Sequence, residues 1–110
     1  MAWLLRDGEV LASVEVASTR ATRRRGLLGR DGLEGAMLLR PAHSVHTIRM
    51  RFPIDVAWCD HDLVVLRVLP AMPRNRMTRP VAHSAAVLEA EAGSFARWHL
   101  SVGDHLELQD

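Results

Sequence analysis

Along this chain, apolar and polar positions alternate in short stretches, and few stretches carry the spacing of an amphipathic helix, so it reads as a succession of strands. Ala2 to Arg6, Asp7-Gly8 and Glu9 to Val16 predict a β-hairpin, because Asp-Gly supplies the positive φ values of a tight type I′ turn. In the second arm Val10, Ala12, Val14 and Val16 alternate with Leu11, Ser13 and Glu15, which predicts one buried face. Ser18 or Thr19 is placed to cap a helix that runs to about Leu28 and stops at Gly29. Arg20, Arg23, Arg24 and Arg25 then fall mostly on its wet side, near the end that favours positive charge, with Leu27 and Leu28 in the core. Arg30 to Gly35 is a turn-rich link, and Ala36 to Leu39 a short strand ended by Pro41.

The densest stretch is His43 to Asp60. Ser44–Met50 and Ile54–Asp60 are predicted as two strands separated by Phe52-Pro53, since proline cannot donate to a ladder. Leu63 to Leu69 is apolar on both faces apart from Arg67 and predicts a central strand, in which Arg67 requires an acceptor. Pro70 to Ala86 is long and irregular, with three Pro, three Arg and no acid. Val87 to Ala92 is a further strand, Ser94 to Trp98 a short helix capped by Ser94, and His105 to Leu108 a last strand. The fold class expected is mainly β or α+β, a small barrel-like curled sheet of seven or eight short strands with one or two short helices, in a single domain over residues 1–110.

Composition adds three constraints. Hydrophobic content of 48% and charged content of 25% are ordinary for a soluble domain, and one cysteine excludes an intramolecular disulfide. No apolar run suits a signal peptide or a membrane span, so a soluble, cytoplasmic protein is expected. All fourteen basic residues are Arg, and residues 20–79 hold twelve of them against five acids, a net of +7 within a chain of net +1. Such a basic middle attracts anions unless its Arg are paired locally, and the local reading carries more weight.

Little conventional chemistry is legible. His43-x-x-His46 has a metal-like spacing, but positions three apart on a strand face opposite ways and no second pair completes a site; no metal or cofactor is expected. Cys59 sits in an apolar strand and reads as inert core. Gly26, Gly29, Gly32 and Gly35 read as turns, not a phosphate loop, and nucleic acid is not expected because aromatic stacking platforms are sparse. The informative residues are Asp55, Arg67 and Glu89, which are charged positions inside apolar patterns. They form either a structural network between strands, which is favoured, or a polar pocket with perturbed pKa values.

The ordered set Arg25-Gly26-Leu27-Leu28, Ala36-Met37-Leu38-Leu39, Val45-His46-Thr47-Ile48-Arg49-Met50, Ile54-Asp55-Val56, Val87-Leu88-Glu89 with Ala92-Gly93, and Val102-Gly103-Asp104 resembles the domain of unknown function 192 family of bacteria and archaea, over about residues 9–108. That family commonly reads Trp-Met-Lys-Asn-Thr before its Leu-Asp, where this chain has His46 and Thr47, with Arg49 or Arg51 to keep a positive charge. The resemblance implies a compact β-rich barrel and no particular activity.

Three functions remain in view. The leading one is a small binding or accessory domain, without turnover, that takes an anionic small molecule or peptide in a cleft of Arg25, His46, Thr47, Arg49, Asp55 and Glu89, with loop 70–86 as rim or lid. The second is a hydrolase or transferase using His46 and Asp55 as a base and its orienting acid. The third is a protein-interaction module that presents loop 70–86 or a strand edge to a protein partner.

Overall fold

The Asp-Gly pair does what its chemistry demands. In the computed structural model, which describes residues 2–110, Asp7 and Gly8 take φ of 52° and 78° and join β1 (Ala2–Arg6) to β2 (Glu9–Ala17). The expected alternation in β2 holds only in part. Leu4 pairs with Ala12 and Leu5 with Val10, which leaves Leu11 as an extra residue in a β-bulge. Val14 and Ala17 are buried, while Val10 and Val16 remain 52% and 42% exposed.

Thr19 caps α1 (Arg20–Arg25). Its hydroxyl accepts the Thr22 amide at 3.1 Å, and the Thr22 hydroxyl accepts the Thr19 amide at 3.0 Å. The helix ends at Gly26, φ 46°, about a turn before the expected Gly29, so that Leu27 drops into the core. β3 (Ala36–Leu39) forms where expected.

The main correction concerns Ser44–Met50, which makes no strand beyond one isolated bridge from His46 to Met77. Thr47 is the reason. Its amide donates to Arg76 O, its carbonyl accepts from Asn75 and Met50, and its hydroxyl donates to Pro73 O at 2.6 Å while accepting from Arg76 N. These bonds tie the segment to loop residues 73–76 instead of a sheet ladder, and Arg49 turns away with φ 65°. Loop 73–85 is therefore laced along residues 42–49 by Thr78 N to Val45 O, Val81 N to His43 O and Ser84 Oγ to Ala42 O.

β4 (Ile54–Cys59), β5 (Val65–Met72), β6 (Ala86–Glu91), α2 (Ser94–Arg97) and β7 (Leu106–Gln109) complete the chain. The seven strands make one curled sheet in the order β5-β4-β6-β3-β2-β1-β7, antiparallel except between β2 and β3. β5 is thus an edge strand and not the expected central one. Arg67 is exposed on it and pairs with neither Asp55 nor Glu89, and Pro70 is tolerated there because an edge leaves N–H positions unused. The central strands are β4 and β6, buried at nearly every position. One face of the sheet packs Leu4, Leu38, Leu88, Leu106 and Phe95 of α2; the other packs Ile54, Val56, Trp58 and Val87 beneath Leu27, Val45 and Met50. The two sheet edges meet at one rim, where Val64 bridges His105 and Val65 exchanges hydrogen bonds with Gly103 and Asp104.

Candidate binding site around Glu89

Strand register decides what the charged positions can do. On β6 Glu89 faces Met37 of β3 and Val56 of β4, whereas Asp55 faces Ala90, so the two carboxylates lie on opposite faces of the sheet. Asp55 is 1% exposed and fully engaged: Oδ1 accepts from Ala71 N at 2.8 Å, and Oδ2 accepts from Gly93 N at 3.0 Å and Phe95 N at 2.9 Å. One carboxylate therefore holds the bulge in β5 and caps α2, whose own Ser94 makes no cap bond. The expected network exists at Asp55, but as a carboxylate bound to backbone amides and not as an ion pair.

Glu89 is different. It is 4% exposed, and among the described residues no donor reaches its carboxyl, whose oxygens keep a little contact with solvent. Burial pushes its pKa up to about 7, so near neutrality it exists as both acid and carboxylate. It forms the floor of a cavity of about 80 Å³ whose walls are Leu27, Leu28, Leu39, Val45 and Met50. The mouth carries Arg23, Arg24, Arg25, Ser44 and His46. The capped helix α1 delivers the Arg; the Thr47 clamp holds Ser44 and His46 opposite. Arg23 reaches Pro41 O at 3.4 Å, and none of Arg23, Arg24 and Arg25 meets a carboxylate among the described residues.

Of the residues expected to bind, Arg25, His46 and Glu89 converge on this cavity. Thr47 does not, because its hydroxyl points inward and is saturated by Pro73 and Arg76. Arg49 lies outside the lining, with its amide bonded to Asn75 Oδ1 at 3.0 Å. Asp55 is on the other face, so the base–acid pair of His46 and Asp55 is not assembled. Arg23, Arg24 and Ser44 were not expected at the site; the clue to the two Arg was the charge excess of residues 20–25, expected on a wet helix face, and no sequence signal pointed to Ser44.

Other chemistry is weakly supported by the geometry. Cys59 is fully buried and burial pushes its thiol up to about 12, which leaves almost no thiolate. Among the described residues no three His, Cys, Asp or Glu side chains gather to hold a metal ion. No helix among them is long and apolar enough to cross a membrane. A larger concavity, about 1320 Å³, opens between the first hairpin and α2 and includes Trp3, Trp98, Glu34 and Arg97. All its ionisable side chains are on exposed residues, so water can solvate them and they have no need of a ligand.

Comparison with known proteins extends the picture. The family model of the domain of unknown function 192, described as "Uncharacterized ACR", matches residues 2–108. A crystal structure of a protein of unknown function from Novosphingobium aromaticivorans DSM 12444 is similar with a TM-score of 0.82 and 22% identity, over 96% of this chain and 82% of that one. A structure from Sinorhizobium meliloti 1021, described as a "putative transcription regulator", is similar with a TM-score of 0.79 and 22% identity, over 96% of this chain and 90% of that one. At that identity the two structures speak to fold alone. No curated protein matches the sequence.

Proposed function

For a chain that belongs to the domain of unknown function 192 family, and whose fold places one unpartnered buried carboxyl beneath a row of arginines, we propose a small-molecule binding role. The ligand carries a carboxylate or another oxyanion, on a metabolite or at a peptide terminus. The observation that carries this reading is the Glu89 carboxyl: on a residue 4% exposed, reached by no donor among the described residues, touched by solvent, and lining the cavity that Arg23, Arg24 and Arg25 also line. A ligand that displaces this confined solvent and makes the hydrogen bond to Glu89 itself takes over a contact the protein leaves open.

Size and charge narrow the ligand. A cavity of about 80 Å³ has the volume of a few waters, so only a head group enters and the rest of the ligand lies outside. An anionic head group drawn in by the Arg meets Glu89 as the neutral acid, which donates a hydrogen bond to it. Binding is then coupled to uptake of a proton, and affinity weakens above the Glu89 pKa of about 7. Catalysis is not part of this reading, because among the described residues no hydrogen bond joins the Ser44 hydroxyl, the His46 ring and the Glu89 carboxyl that line the cavity, so nothing activates the hydroxyl.

Thermal melts with acetate, succinate and sulfate, which keep a constant charge above pH 7, test the role. The expected result is a rise in Tm with at least one of them that shrinks from pH 7 to pH 9. Glu89→Gln should make the response independent of pH, and Arg23→Ala/Arg24→Ala/Arg25→Ala should abolish it. A melt unmoved by any anion at any pH would overturn the role.

A further inference from the structure

Loop 70–86, read from sequence as a rim or interaction loop, presents a surface distinct from the Glu89 cavity. Its tip runs antiparallel to residues 43–49, with His46 opposite Met77, Thr78 N bonded to Val45 O and Arg49 N bonded to Asn75 Oδ1. His46 and Ile48, on either side of the buried Thr47, are both exposed, and Ile48 sits in the turn that Met50 N closes on Thr47 O. Ile48 is 41% exposed and Met77 is 73% exposed; Met77 bridges His46, two residues before Ile48. Both are large apolar side chains exposed on two segments that the Thr47 hydrogen bonds hold together.

The charge around this tip has one sign. Residues 43–51 and 73–83 contain Arg49, Arg51, Arg74, Arg76 and Arg79 and no acid. All five are exposed, and among the described residues only Arg51 has a carboxylate partner, Asp31 at 2.9 Å. A tip that offers two large apolar side chains within a ring of Arg asks for a partner that is anionic at its surface and apolar just beneath. An acidic peptide satisfies the first demand and leaves Met77 and Ile48 in water. A nucleic acid would use stacking platforms, and neither segment has a Phe, Tyr or Trp.

We propose that this tip docks on an anionic lipid surface, with Arg49, Arg74, Arg76 and Arg79 at the level of the head groups and Ile48 and Met77 inserted below them. The docking is peripheral and reversible, since two side chains supply the apolar part and the basic residues supply long-range attraction that salt screens. It does not depend on the Glu89 cavity.

Flotation with vesicles separates these terms. The wild-type chain should float with vesicles of phosphatidylcholine and phosphatidylglycerol at low salt, and stay behind with phosphatidylcholine alone. Arg74→Gln/Arg76→Gln/Arg79→Gln should lower the vesicle affinity at least tenfold. Ile48→Ser/Met77→Ser should lower it about tenfold without changing charge. Because Cys59 is buried and its thiol is pushed up to about 12, Met77→Cys offers a single reactive thiol for an environment-sensitive dye, whose emission should shift to the blue on anionic vesicles. Glu89→Gln should float as the wild type does, which keeps this result separate from the anion response. No flotation, undiminished flotation of Ile48→Ser/Met77→Ser, an unshifted dye, or tighter binding to single-stranded DNA or an acidic peptide than to the vesicles would overturn the proposal.

Discussion

At the scale of single residues, two buried carboxylates of one sheet have opposite economies. Asp55 gains three amide donors; Glu89 gains none among the described residues, and its burial favours the protonated form. The native state holds the Glu89 proton more tightly than the unfolded chain does, since its pKa rises from 4.5 to about 7. Stability contributed at this position is therefore whole below pH 4.5, falls as pH climbs to about 7, and is flat above. Glu89→Gln should match the wild type near pH 4.5 and exceed it at pH 8 by up to about 3 kcal/mol. Urea unfolding at the two pH values measures the difference, and a difference that does not vary with pH would contradict the assignment. Asp55→Asn should cost about 3 kcal/mol, because an amide group replaces a charged acceptor facing three N–H donors. A loss well under 1 kcal/mol in the same urea series would show that α2 and the β5 bulge do not rely on it. Both positions were legible in sequence as acids within apolar runs. Which face each occupied was not, because this sheet buries both faces and alternation then carries no label for inside.

At the scale of elements, local chemistry was read well and pairing was not. The Asp7-Gly8 turn, the Thr19 cap, β3 and β4 follow from backbone preferences within a few residues, and the structure places them where the sequence does. Residues 44–50 failed because Thr47 has a strand former's side chain but uses its hydroxyl and both backbone groups on loop 73–76, a partner distant in sequence. Leu63–Leu69 failed because an apolar run does not reveal its place in the strand order, and an edge strand can carry the exposed Arg67 without a partner. The cap on α1 matters beyond the helix, since six residues with Arg at 23, 24 and 25 have little else to hold their geometry over the cavity. Thr19→Ala removes the hydroxyl that accepts Thr22 N, while the Thr19 amide can still donate to the Thr22 hydroxyl, and should cost about 1 kcal/mol. The same variant should also weaken the anion-induced rise in Tm, although Thr19 does not line the cavity. A stability loss with an unchanged anion response would show that the Arg are positioned by something other than the helix.

At the scale of the whole molecule, the open question for any curled sheet is how its two free edges are protected. Here β5 and β7 are joined at one rim by Val64–His105, by Val65 with Gly103 and Asp104, and by Leu106 N to Leu63 O. The turn that presents residues 101–104 is itself held from the opposite side of the chain. Asp104 Oδ2 accepts from Ser101 N at 2.9 Å and from Arg6 Nη1 at 3.0 Å, and Arg6 also donates to the carbonyls of Trp98 and His99. With side chains only 17% and 22% exposed, the Arg6–Asp104 pair is shielded well enough to outweigh an ordinary surface ion pair. It links β1 to the end of α2 and to the closing turn at once. Asp104→Ala removes two acceptor contacts and should lower stability by about 2 kcal/mol. The loss should be local first: amide exchange should accelerate at Val65, Gly103 and Leu106, while amides of β6, covered on both faces, keep the protection of global unfolding. Acceleration shared equally by β6 would mean that the rim opens only with the whole sheet. In that event the closure is an inseparable part of one cooperative barrel, not a seam along which it parts.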